Sequence, residues 1–194
     1  MRLFLALACL ASPAMADCPT RADLRAGVTL VQNGEHFIRS DFELTGDGLR
    51  EVRFERKDGT PRQRVFVFAH GLLPLGVSEG RAITRHIYDT APERLDALST
   101  EGSIVTRGTR IGDNGAPQPV QVAHVHDGVS EMAILGCRYE TWKVRETRVI
   151  DGVIQGERLL TYAPELGVVV AQEPRQGRDG FGYTWIGTAA DVAR

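Results

Sequence analysis

Lysine is nearly absent from this sequence: Lys57 and Lys143 stand alone, and arginine supplies the rest of the 23 basic side chains. The skew reads as GC-rich coding. Basic and acidic residues nearly cancel, leaving a net charge of −2, which gives no general attraction to nucleic acid or to an anionic membrane. A long apolar run is missing as well. The stretch from Leu3 to Ala11 falls well short of the ~20 residues of a spanning helix before Ser12-Pro13 interrupts it, so it is no transmembrane anchor. Only three cysteines occur and none forms a Cys-x-x-Cys pair, which argues against a dithiol redox centre. There is no internal repeat and no low-complexity linker. A series of strand-helix-strand units is also lacking, which argues against a doubly wound α/β architecture.

What is present begins with an export signal. Arg2, a short apolar core and Ala14-Met15-Ala16 have the layout of a secretory leader, with cleavage expected after Ala16. The apolar core ahead of Cys9 is too short for lipidation there, and Asp17 occupies the small-residue position that lipidation of Cys18 would need. Cleavage leaves about 178 residues (17–194), the size of one domain, with a net charge near −3. It also leaves Cys18 and Cys137 as an even pair in an oxidising space. A disulfide between them is expected. Leader and arginine bias together predict a bacterial periplasmic protein.

Turn dipeptides punctuate the remainder: Asn33-Gly34, Asp47-Gly48, Asp58-Gly59, Asn114-Gly115, Asp127-Gly128, Asp151-Gly152 and Asp179-Gly180. Asn-Gly and Asp-Gly tolerate the positive φ angles of hairpin turns. Between them lie β-branched and aromatic runs around residues 64–68, 119–125 and 167–171. The expected fold is therefore mainly β: a curved antiparallel sheet, half-barrel or open barrel, with one or two short helices. Residues 134–150 and 153–163 are expected to form its longest hairpin, around Asp151-Gly152. Thr20, Asp23 and Gly27 have the spacing of a capped two-turn helix, and Pro92 sits at a favoured first helical position.

Several constellations look chemical. Gly76-Val77-Ser78-Glu79-Gly80 matches the nucleophile-elbow pattern, and His70-Gly71 lies just upstream. The residues after Gly80 read as a strand rather than a helix, so Ser78 is expected to be an ordinary loop serine. His124 and His126 alternate on a predicted strand and can offer two imidazoles to one metal, with Asp127 and Glu131 as oxygen donors. Two histidines fall short of a zinc site, and His126-Asp127-Gly128 also reads as a strand entering a turn. Around Asp58-Gly59, Arg50, Arg53, Arg56, Lys57, Arg62 and Arg64 outnumber Glu51, Glu55 and Asp58. Such a ribbon suits lipid head groups or an acidic partner, and it also suits a solvated mixed-charge face. Val65, Val67 and Ala69 alternate with Phe66 and Phe68, which predicts a strand covered on both faces. A sheet closing around its interior would do this, whether that interior is a filled core or a cavity.

Cys137-Arg138-Tyr139-Glu140-Thr141-Trp142-Lys143-Val144 and the later Tyr162-x-Pro164-x-x-Gly167 turn before Val168-Val169-Val170 resemble the closing part of uncharacterised bacterial periplasmic proteins and lipoproteins. Some of those are similar to the outer-membrane lipoprotein carriers. The resemblance covers about a fifth of the chain. It implies a convex, incomplete antiparallel barrel that shelters acyl chains, and it assigns no site residue.

The leading expectation is a periplasmic, non-enzymatic binding or carrier protein for an apolar small molecule or envelope component, with no cofactor, no nucleic acid partner and no transmembrane segment after leader cleavage. Alternatives are a hydrolase using Ser78 with His70, His86, His124 or His126, a metal-binding module at His124 and His126, and a structural partner-binding domain. The denatured intact mass of protein recovered from the periplasm is expected to begin at Asp17 and to fall two hydrogens short of the reduced chain. A mass that retains residues 1–16 would overturn the leader reading.

Overall fold

The computed structural model describes residues 18–175, 179–188 and 191. The expected leader, residues 1–16, lies outside them. Thirteen strands form one antiparallel sheet: β1 (Val28–Gln32), β2 (Phe37–Thr45), β3 (Gly48–Lys57), β4 (Thr60–His70), β5 (Leu73–Glu79), β6 (Ala82–Tyr88), β7 (Ser103–Ile111), β8 (Pro117–Ile134), β9 (Cys137–Ile150), β10 (Val153–Ala163), β11 (Val168–Gln172), β12 (Phe181–Gly182) and β13 (Trp185–Thr188). β1 to β12 follow one another as a meander, and β13 returns to lie beside β1. The sheet is not closed into a barrel. Its two ends nevertheless meet on one segment, because Phe181 and Gly182 pair with β11 while residues 185–188 pair with β1. Between those pairings the Tyr183 amide donates to the Val170 carbonyl and the Thr184 amide to that of Val31.

Backbone geometry explains the turns. Asp58-Gly59 and Asp151-Gly152 join their strands through two residues at positive φ, as the dipeptides predict. Leu135-Gly136 makes the same kind of turn, with Leu135 at φ 46°. The side chain there gives no signal. It joins β8 to β9, and this hairpin, rather than β9 with β10, has the longest paired register in the sheet. Asp127-Gly128, by contrast, does not turn the chain. It forms a bulge between His126 and Gly128 while β8 runs on to Ile134.

Helix is sparse and shorter than the spacing suggests. The Asp23 carboxylate accepts from both the amide and the hydroxyl of Thr20, at 2.8 and 3.0 Å, but only a 3-10 turn, Asp23–Arg25, follows. The expected two-turn helix is thus replaced by a tighter turn, since the threonine hydroxyl donates to the acid instead of capping an amide. Pro92–Ala97 is a second 3-10 turn and leads into α1 (Leu98–Glu101). No helix among the described residues is long and apolar enough to cross a membrane.

Apolar packing collects in two clusters. One lies where the sheet ends meet and includes Leu24, Leu30, Ile38, Tyr139, Val170 and Ile186. The other seats Leu95 and Leu98 of the helical segment against Leu72, Ile104, Trp142 and Tyr162. Each plugs a part of the concave interior. Cys18 and Cys137 form a disulfide, with Cα atoms 5.5 Å apart, and tie the start of the described chain to the first residue of β9. Beside it the Tyr139 hydroxyl donates to the Pro19 carbonyl at 2.9 Å.

The bridge spans 119 residues of sequence, so chain entropy assigns it a large share of the stability. The Cys18→Ser, Cys137→Ser double variant is expected to unfold in urea with about 2–5 kcal/mol less stability than the oxidised parent. Equal midpoints would show that the bridge constrains nothing.

Candidate functional site

Strand alternation turns one face of each strand toward the concave interior, and that face is not uniformly apolar. On β2 it carries Ile38, Ser40 and Phe42, all buried, and on β3 it carries Leu49, Glu51 and Arg53. The same alternation on β4 presents Arg64, Phe66 and Phe68, and on β9 it presents Trp142, Val144, Glu146 and Arg148. Part of this face, from Phe42, Leu49, Glu51, Arg53, Arg64, Phe66, Phe68, Glu146 and Arg148, lines a partly open cavity of about 250 Å³. Its apolar lining includes Phe42, Leu49, Phe66, Phe68, Leu160 and Val168, and its charged lining is Glu51, Arg53, Arg64, Glu146, Arg148 and Arg158.

Two ion clusters hold the charged lining in place. On β3 and β4, Arg53 Nε donates to Glu51 Oε1 at 2.6 Å, and Arg64 pairs with Glu55. The same Glu51 oxygen accepts from Ser40 at 2.6 Å, and Ser40 Oγ lies 2.6 Å from the Tyr183 hydroxyl. On β9 and β10, Arg158 grips Glu146 with Nε at 3.0 Å and Nη2 at 2.6 Å. Arg148 Nη2 lies 3.4 Å and His124 Nε2 3.6 Å from the Glu146 carboxylate. Burial disfavours ionised Glu146, but Arg158, His124 and Arg148 outweigh it and hold its pKa well below the usual carboxylate range. Burial likewise opposes the Arg53 cation, and Glu51 with Tyr183 and Glu55 keeps that guanidinium protonated.

Outside the cavity lies a hollow of about 650 Å³ that shares Arg53, Arg64, Phe66, Arg158, Gln172 and Phe181 with it. At the junction the Arg53 guanidinium sits 5.0 Å from the ring centres of both Phe66 and Phe181. The basic hairpin is therefore divided between two environments. Arg53 and Arg64 enter the interior, whereas Lys57 pairs with Asp179, Arg62 pairs with Glu79 and Arg56 covers the Phe37 ring.

The other candidates separate. Ser78 lies within β5, opposite Val65 and Ile83, rather than in a loop, and among the described residues no hydrogen bond links it to a histidine. His70 accepts the Leu72 amide at Nδ1, and its Nε2 lies 3.2 Å from both Asp96 and the Tyr162 hydroxyl. It fastens the helical segment to the sheet. Burial lowers its pKa, partly offset by Asp96. His124 donates from Nε2 to the Leu72 carbonyl at 3.1 Å, and the His126 ring stands edge-on to Trp142. Asp127 and Glu131 turn away from them to Arg145 and Arg138. No metal-ligating group of three is present among the described residues. The interior roles of Glu146, Arg148 and Arg158 are not anticipated from sequence, although the alternation from Trp142 through Val144 carries the pattern on to them.

His86 is buried, stacked on Tyr88, and neither ring nitrogen has a hydrogen-bond partner. Burial, reinforced by Arg148 and Arg110, depresses its pKa from 6.5 to about 4. A depressed histidine binds fewer protons folded than unfolded, so stability falls as pH drops from 6.5 toward 4 and levels off below that. The loss is expected to reach about 3 kcal/mol, and His86→Leu should flatten the profile across that window. Glu146→Gln strands Arg148 and Arg158, and is expected to cost about 3–5 kcal/mol in urea unfolding. An unchanged pH profile for His86→Leu, or a neutral Glu146→Gln, would contradict these assignments. The chain matches no protein-family model, no curated protein and no solved structure.

Proposed function

We propose that this protein is a non-catalytic, periplasmic binding or carrier protein that shelters a small, largely apolar ligand inside the curved sheet. The observation that carries this reading is the cavity between the two apolar plugs, walled by phenylalanine, leucine and valine and joined to an outer hollow. Ligand sites combine this kind of apolar wall with a few fixed polar groups. At about 250 Å³ the cavity suits one short chain or the end of a longer one. The leader-like N-terminus and the Cys18–Cys137 bridge support an exported protein. The resemblance to lipoprotein carriers points the same way. Among the described residues no hydrogen bond joins Ser78 to a base, which a nucleophile needs within reach.

Titration with the neutral fluorophore N-phenyl-1-naphthylamine tests the proposal. Saturable enhancement, displaced by 1-decanol, is expected for the folded protein. Val77→Trp, which places an indole in the cavity wall, should weaken it about tenfold or more. Enhancement that does not saturate, or that Val77→Trp leaves unchanged, would refute an interior site.

A further inference from the structure

Resting on that interior site, we infer that its charged end is a head-group subsite for a singly charged carboxylate carried on one short apolar chain. Charge is the first argument. Arg53, Arg64, Arg148 and Arg158 bring four cations to the inner wall, against Glu51 and Glu146 in the cavity lining and Glu55, which lies just outside it and pairs with Arg64. One positive charge is left over. In a region of low dielectric this surplus favours entry of one anion and disfavours a cation or a dianion.

Free hydrogen-bonding capacity is the second argument. Arg64 Nε and Arg148 Nε are buried without a hydrogen-bond partner, and Arg148 Nη2 has only its 3.4 Å ion-pair contact with Glu146. Arg158, by contrast, is occupied by Glu146 at both Nε and Nη2, and Arg53 Nε by Glu51. The donors without hydrogen bonds therefore belong to Arg64 and Arg148, each otherwise held by a single carboxylate, Glu55 and Glu146. Buried donors left unpaired cost free energy, and a carboxylate accepts from two of them at once in the planar geometry that guanidinium groups offer. Glu51 Oε2 is also buried without a partner, and its negative charge on the same wall counts against a second charge on the ligand.

The arrangement of the lining is the third. Phe66, Phe68, Leu160 and Val168 adjoin the arginines in one cavity, so a chain laid against the apolar wall brings its head group to Arg148 and Arg64. A neutral alcohol uses the apolar wall alone.

Displacement of N-phenyl-1-naphthylamine by decanoate, 1-decanol, decyltrimethylammonium and decyl phosphate separates the head-group inference from the site itself. Decanoate is expected to bind the parent protein about tenfold or more tightly than decanol. Decyltrimethylammonium should be weakest, and dianionic decyl phosphate weaker than decanoate. Arg148→Met should remove the preference for decanoate over decanol, and saturable displacement by decanol shows that the variant is folded. Arg64→Met provides an independent second variant. Equal binding of decanoate and decanol, tighter binding of the cation or the phosphate, or full decanoate preference in folded Arg148→Met would overturn the inference and leave the apolar site standing. Failure of all four compounds to displace the fluorophore would remove both. Should neither variant fold, the comparison of the four compounds on the parent protein decides alone.

Discussion

One stretch of eight residues, 181–188, holds the two ends of a thirteen-stranded open sheet together. Its first residues complete β11, its last complete β1, and the amides between them reach the carbonyls of Val170 and Val31. Without that lateral tie the sheet would be a twisted ribbon with one wet face, and Glu51, Arg53 and Phe66 would have no opposite wall. The tie also reaches the interior chemistry directly. Tyr183, from the same segment, is hydrogen-bonded to Ser40, and Ser40 to Glu51. Backbone closure and carboxylate orientation are thus set by neighbouring residues of a single segment.

The interior spends stability on polarity. A carboxylate such as Glu146, with 2 % of its side chain exposed, gains its pairing energy only after losing hydration, and such pairs seldom stabilise more than an apolar replacement would. Here pairing of Arg158 with Glu146 and of Arg53 with Glu51 offsets that cost, while the free nitrogens of Arg148 and Arg64 are left uncompensated. An interior built for packing alone would have no such remainder. The two apolar clusters flanking the cavity show that the fold can make a dry core where nothing else is required.

Much of the fold is legible in the residues because positive φ is a local demand. Aspartate followed by glycine meets it at residues 58–59 and 151–152, and there the sequence and the turn agree. At 135–136 the turn is imposed by the long register of β8 against β9, and an exposed leucine adopts a conformation its own chemistry does not advertise. At 127–128 the same dipeptide chemistry serves a bulge, because pairing on both sides of it continues β8. The site is less legible. Period-two alternation groups Arg64 with Phe66 and Phe68, yet it cannot say which of two mixed faces turns inward. Curvature makes that choice through contacts between strands remote in sequence. The pairing of Cys18 with Cys137 required no such information, since the sequence holds three cysteines and Cys9 falls in the expected leader.

Pairing of β1 with β13 also sets an order of events. Val28 meets Thr188, so the first strand of the sheet finds its outer partner only when the last strand is available. On a chain emerging amino end first, the meander from β1 to β11 can form by neighbour-to-neighbour hairpins, which are local and fast, while its leading edge stays open. Such an edge is a template for pairing with other chains. Among the described residues this final joining is the most non-local strand pairing. Its loop-closure cost falls at the end of folding, so sealing of the interior is a late event that follows assembly of its walls.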